Sequence, residues 1–307
     1  KQVHGNTVLE ISWTIIPALI LVVMAAFTIP VIFDLNERPE GDDVVTVNVI
    51  AKQWFWEFEY CEQGTIECGI LLDEEVPEGE TNGVDFVTAN EMHIPVDRPI
   101  SIHVTSPRAG VIHSFWVPNL AGKKDAVPGD DHFMQFEASE TGLFLGQCAE
   151  YCGLSHADMR LRVFAQTNAE YEGWAEAQRQ PVETGIEFAT AELVDTWQCS
   201  QCHTVGGVEG AVGVVGPNLT HVGDRSTFGS GLYETTLENL TDWVYQAPEL
   251  KPFGPLNVEQ RMPNFSENGM TRDEAEQIAR FLLCDTSTDV SEVPEAEREV
   301  CAQEPQQ

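Results

Sequence analysis

The sequence predicts a multidomain chain: a transmembrane helix, then an all-β sandwich or barrel, then an all-α domain. Three observations predict it. A long apolar run without charge lies near the start. A stretch rich in β-branched and aromatic residues follows it. Beyond Pro181 the apolar period becomes helical. The expected segments are 1–40 with the helix at about 11–33, 41–167 for the β domain, 168–185 for a linker, 186–285 for the helical domain and 286–307 for an acidic tail.

Each element has its own warrant. The run Ile11 to Phe33 holds 23 residues and no charge. As a helix it would be about 35 Å long, enough to cross a bilayer. Pro17 and Pro30 are tolerated in such a helix. From Val44, "VVTVNVIAKQWFWEFEY" partly alternates, as strands do. Further strand-like runs are "MHIPVDRPISIHVTS", "VIHSFWV", "HFMQFEA" and "MRLRVFA", separated by Gly, Pro and Asp. "TNAEYEGWAEAQRQPVETG" reads as a short helix and a polar linker. Ile186 to Gln198 reads as a helix leading into "CSQCH". "TRDEAEQIARFLLC" opens with Thr271 and Glu274 at capping-box spacing and places Ile278, Phe281 and Leu282 on one stripe.

The formal net charge is −34, and both halves of the chain carry it. Residues 1–182 hold 28 acids against 10 Lys and Arg, and residues 183–307 hold 22 against 6. This argues against nucleic acid as a partner, because phosphate binding needs basic patches. It suits a cationic partner, a salty environment or simply a solvated acidic surface. Eight cysteines suggest an oxidising compartment. Cys61/Cys68 and Cys284/Cys301 have no histidine nearby and read as disulfides. The other two pairs sit in ligand-like motifs.

The first motif is "GQCAEYCGLSHADM", with Cys148, Cys152, His156 and Met159 in one loop. Zinc tolerates methionine poorly. Thiolate, imidazole and thioether together point to copper in an electron-transfer site. A mononuclear blue-copper site needs one cysteine, so this loop has one too many. Two bridging thiolates suit two copper ions, each capped by a histidine. The second histidine is expected upstream, and His113 in "VIHSFWVPNL" is the candidate. His93, His103 and His132 carry no motif and read as structural or exposed.

Here the chain resembles subunit II of the haem–copper cytochrome c oxidases. The resemblance rests on "HSFWVPNLAGKKDAVPG", "GLFLGQCAEYCGLSHADM", "KQWFWEFEY" and "LEISWTIIPALIL", and covers nearly all of residues 4–165. It implies a cupredoxin-like barrel with the dinuclear copper centre CuA. Cys148 and Cys152 would bridge the coppers, His113 and His156 would cap them, and Met159 and the Glu150 carbonyl would be weak ligands. It also implies that the Glu150 side chain turns toward a magnesium ion shared with subunit I. Two positions depart from the family pattern: Gly110 stands where an acid is usual, and Asp130 where a basic residue is common.

The second motif, "CSQCH" at Cys199 to His203, is the c-type haem attachment signature. Two thiols join the haem vinyl groups and His203 becomes an axial ligand. A thioredoxin-like pair would lack that histidine. The following "GPNLT", "LENLTDWVYQAPELKPFG" and "RMPNF" resemble a class I cytochrome c of the kind fused to subunit II in caa-type oxidases. That resemblance implies methionine as sixth ligand, with Met262 favoured over Met270.

Together these resemblances imply a membrane-anchored electron relay. Electrons would pass from its own haem c to CuA, then to subunit I for reduction of oxygen coupled to proton translocation. Expected partners are subunit I, subunit III and an upstream donor. The expected place is a prokaryotic cell membrane, with both metal domains on the outer face. Tethering would make docking of the donor intramolecular, so it would need little affinity. Trp54 matches the family residue where electrons enter, and Glu10 the acid at the mouth of a proton channel. The start of the chain resembles the loop of the family's two-helix hairpin, so an upstream helix is expected. Two other classes remain open: a CuA-bearing reductase of nitrogen oxides, and a copper–haem shuttle acting alone.

Overall fold

The structure, a computed structural model, describes residues 4–65, 68–69, 82–180, 189–253 and 261–284. Helix α1, Thr7–Asn36, extends beyond the expected 11–33 because Asn6 caps it, accepting from the Val8 and Leu9 amides. Ser12, Thr14 and Thr28 return their hydroxyls to the carbonyl four residues back, which hides these polar groups. None of its residues is buried against the rest of the chain. Such an apolar surface calls for lipid around it.

The β region is a sandwich of two five-stranded sheets. The strands are β1 Val45–Lys52, β2 Phe55–Cys61, β3 Val84–Ala89, β4 Glu91–Pro95, β5 Ile100–Thr105, β6 His113–Trp116, β7 Lys123–Ala126, β8 His132–Phe136, β9 Gly142–Cys148 and β10 Arg160–Gln166. One sheet runs β3-β2-β1-β5-β8 and the other β4-β10-β9-β6-β7. Pairs β1/β5 and β4/β10 are parallel, and the remaining neighbours antiparallel. Val47, Val49, Trp56, Phe58, Ile102, Phe115, Leu161 and Val163 fill the space between the sheets. Burying each such side chain contributes roughly 1.5–3 kcal/mol. Strands β3, β7 and β9 were not expected. In β9, "GLFLGQC", two glycines interrupt the apolar pattern and Leu143 and Leu145 point outward.

Helix α2, Asn168–Arg179, follows at once, and its capping box joins Thr167 and Glu170. Trp174 of this helix stacks on His93 at 4.1 Å, and Phe164 stacks on the other side at 4.7 Å. Residues 189–284 contribute α3 Ala189–Thr196, a two-stranded ribbon of β11 Thr227–Phe228 and β12 Tyr233–Glu234, α4 Leu237–Leu250 and α5 Arg272–Cys284. The capping box of Thr271 and Glu274 is formed. Ile278, Phe281 and Leu282 are buried with Val194, Val244 and Phe265 in a second core.

Cys61 and Cys68 form a disulfide. Cys284 is disulfide-bonded too, while Cys301, its expected partner, lies outside the described residues. The expected tail at 286–307 and the part of the linker beyond Gln180 also lie outside them.

Candidate metal centre

The copper loop grows out of the second sheet. Strand β6 presents His113 at its first position, and β9 ends at Cys148. The two strands are locked by Phe115 opposite Cys148, and the Ala149 amide donates to the Ser114 carbonyl at 2.9 Å. The Cys148 amide donates to the Met159 carbonyl at 3.0 Å, so the loop returns to where it began. A single 3-10 turn, His156–Asp158, directs His156 inward.

The donor atoms converge. Cys148 Sγ and Cys152 Sγ lie 3.7 Å apart. Each has an imidazole beside it: His113 Nδ1 is 3.8 Å from Cys148, and His156 Nδ1 is 3.7 Å from Cys152. Met159 Sδ is 4.0 Å from Cys152, and the Glu150 carbonyl oxygen 3.1 Å from Cys148 Sγ. Two donors on one metal, with bonds of roughly 2.3 Å to sulfur and 2.0 Å to nitrogen, stand at such separations. His113, Cys148 and Cys152 are all buried and gather as one metal-holding group.

The electrostatics call for cations. Hydrogen bonding to Cys152 pushes the Cys148 thiol down to about 3. The same contact, followed by burial, pushes Cys152 up. One thiolate is therefore easy and the second is resisted by the first. Two soft cations between them would satisfy both, and thiolate, imidazole and thioether are copper donors.

Loop position is fixed from outside. The Cys152 carbonyl accepts from Trp54 Nε1 at 3.0 Å and from Gln53 Nε2 at 2.8 Å. Trp54 is only 3% exposed. Its own carbonyl accepts from Ser230 and Lys251, in the segment after the linker. Sequence reading missed those two residues, since neither belongs to a motif. The Glu150 carboxylate accepts from the Tyr151 amide at 3.1 Å. Among the described residues, no other histidine, cysteine or acid joins it in a metal-holding group.

The second cluster lines a cavity of about 510 Å³. Cys199, Cys202, His203 and Met262 all face it, together with apolar Leu219 and Phe265. His203 Nδ1–H donates to the Pro217 carbonyl at 2.7 Å. That assigns the neutral tautomer with a lone pair on Nε2, and burial lowers the His203 pKa in the same direction. An apolar cavity with two thiols at one wall, an imidazole and a thioether fits a covalently held haem. Met270 is buried in the core and is not part of this lining. Trp54, Gln53 and Asn90 of the sandwich complete the wall.

Glu10 lies apart from both clusters, in the first turn of α1, where its Oε1 accepts from the Asn6 amide at 3.3 Å.

Residues 45–166 match the family described as Cytochrome C oxidase subunit II, periplasmic domain, and residues 1–31 its transmembrane domain. Cytochrome c oxidase subunit 2 of Alkalihalophilus pseudofirmus is 36% identical over 88% of this chain and 72% of its own length. Subunit 2 of Bacillus subtilis is 30% identical over 82% of this chain and 69% of its own. The crystal structure of the periplasmic domain of subunit II of cytochrome oxidase from Bradyrhizobium japonicum is 32% identical, covering 47% of this chain and 97% of that one at a TM-score of 0.35.

Proposed function

The chain belongs to the cytochrome c oxidase subunit II family, a CuA-containing electron-transfer subunit of an oxidoreductase complex, and from that premise we propose that it also carries its own electron donor, a haem c held by residues 189–284. It is a membrane protein with an outward-facing domain. The finer reading is a subunit of a caa-type oxidase in a prokaryotic cell membrane, partnered by subunits I and III. Its electrons would go on to subunit I for oxygen reduction coupled to proton translocation.

One observation carries this reading. A single cavity is lined both by the haem-motif residues and by Trp54, whose indole holds the copper loop. Copper and haem, when bound, supply one-electron centres of differing potential. The chain's residues do the rest. Cys148, Cys152, His113 and His156 fix the copper donors, with Met159 and the Glu150 carbonyl as weaker ones. Cys199 and Cys202 would anchor the haem, with His203 and Met262 as axial donors. His113, Cys148, Cys152 and Met159 are buried, and the exclusion of water there limits the solvent reorganisation that accompanies electron transfer. Magnesium at Glu150 stays within this proposal, with its remaining ligands from subunit I.

The test is metal and haem analysis of the purified membrane complex. We expect two coppers per chain, an electron spin resonance signal coupled to both nuclei, and haem that stays with the band of this subunit under denaturing conditions. Cys199→Ala with Cys202→Ala should abolish that covalent haem and keep the copper. An active oxidase whose wild-type subunit holds no covalent haem would overturn the donor reading. Zinc or one copper in fully loaded protein would overturn the dinuclear site.

A further inference from the structure

The segment after the linker does not merely lie near the copper loop. It grips the sandwich at two buried points, one of which, with Trp54, Ser230 and Lys251, lines the haem-motif cavity. At the first, Lys251 Nζ donates to the Trp54 carbonyl at 2.8 Å and to Ser230 Oγ at 2.7 Å. Ser230 Oγ donates to the same Trp54 carbonyl at 2.6 Å. Lys251 is 2% exposed. At the second, the carboxylate of Glu91, also 2% exposed, accepts from the Ser226 amide and hydroxyl at 3.0 and 2.6 Å. It accepts further from the Thr227 amide and hydroxyl at 2.8 and 2.7 Å. Each side thus buries one ionisable group whose hydrogen-bond partners include groups of the other side. Removing the partner of either group while it stays buried leaves an uncompensated charge or donor, which disfavours the closed seat.

Resting on the haem c reading above, we infer that Lys251 and Glu91 lock the C-terminal domain in one seat over Trp54, and that Lys251 is a positioning residue for electron transfer into the copper loop. The path of contact is short: Lys251 to the Trp54 carbonyl, and the Trp54 indole to the Cys152 carbonyl. Burial also pushes the Lys251 ammonium down to about 7, a mark of how dry the seat is. The seat adds fixed, buried contacts to a tether that by itself asks little affinity of docking. Both halves are strongly acidic, with 28 acids against 10 bases and 22 against 6. Freed from the lock, they would repel, and salt would screen that repulsion. A locked pair has no such dependence, because its contacts are desolvated.

The experiment compares wild type, Lys251→Met and Glu91→Gln in the assembled oxidase. It reads the rate of haem c to CuA transfer after flash reduction, between low and molar salt. Wild type should transfer at one rate across that range. Lys251→Met should be at least tenfold slower at low salt and should recover as salt rises, with both optical spectra unchanged. Glu91→Gln should follow the same pattern, and it carries the test if Lys251→Met fails to assemble. Wild-type rates and flat salt profiles in the variants would overturn the lock, and so would a wild type that itself speeds up with salt. Hydrogen exchange at amides 53–56 and 226–231 gives a readout independent of haem. Exchange there should rise in both variants, and unchanged exchange would overturn the lock. Absence of haem in wild type would overturn only the donor reading.

Discussion

Gly153 lies so close to Trp54 that a β-carbon on it would stand 2.8 Å from the indole Cζ2, and its φ of +119° is one that side chains rarely adopt. The copper loop and the aromatic beside it therefore fit only with glycine there. Gly153→Ala should push the indole off the Cys152 carbonyl and destabilise the loop by about 1–3 kcal/mol. The measurement is the rate of copper loss to a chelator, which should rise at least severalfold. Unchanged copper retention would show that the loop adapts freely.

Met262 and Met270 should separate cleanly. Met262→Ala removes the thioether facing the His203 cavity, so the potential of the bound haem should fall and its sixth-ligand absorbance should vanish. Met270→Ala empties a place in the core and should cost about 2–5 kcal/mol of stability while leaving that absorbance intact. Spectra and thermal melts of the two variants decide, and the reverse pattern would reassign the ligand.

His93 predicts a particular acid response. Burial between Phe164 and Trp174 lowers its pKa to about 4, against an ordinary 6.5. The unfolded chain thus binds more protons between those values, and stability rises with pH there. The contribution is complete above about 6.5 and is lost as pH falls toward 4. His93→Phe keeps the stack and should remove an acid-dependent loss on the order of 3 kcal/mol. From pH 7 to pH 4 the wild-type melting temperature should therefore fall further than that of the variant. Parallel curves would discard this account.

Glu10 caps the start of α1, and a part in proton uptake is testable beside that role. Its contact with the Asn6 amide explains its place without any proton chemistry. If it also collects protons for subunit I, Glu10→Gln should slow steady-state oxygen reduction severalfold, since glutamine can still accept from Asn6 but cannot titrate. Electron delivery to copper should not change. Normal turnover in the variant would leave the cap as its role.

The sequence spoke most clearly where chemistry is local. Cys148, Cys152, His156 and Met159 share one loop, so spacing alone gathers them, and His113, already named from the sequence, stands beside Cys148 across one strand pair. Strands β1 and β5 were legible because Val47, Val49, Ile102 and Val104 repeat at every second position. Strand β7, "KKDA", carries no apolar signal and owes its form to pairing with β6. The grip of Lys251 and Glu91 was illegible for a similar reason. Their partners lie 197 and 135 or 136 residues away, and no local pattern marks a lone buried ion.

Helix α1 meets the rest of the molecule at its last turn and little else. Gln135 Nε2 donates to the Asp34 carbonyl at 2.9 Å, and Arg38 lies 5.3 Å over the Phe133 ring. Because no residue of the helix is buried, the sandwich loses almost no packing if the chain is severed between Asn36 and Val45. A protease site placed there should release a fragment that stays in solution without detergent and keeps all the cysteines of both motifs.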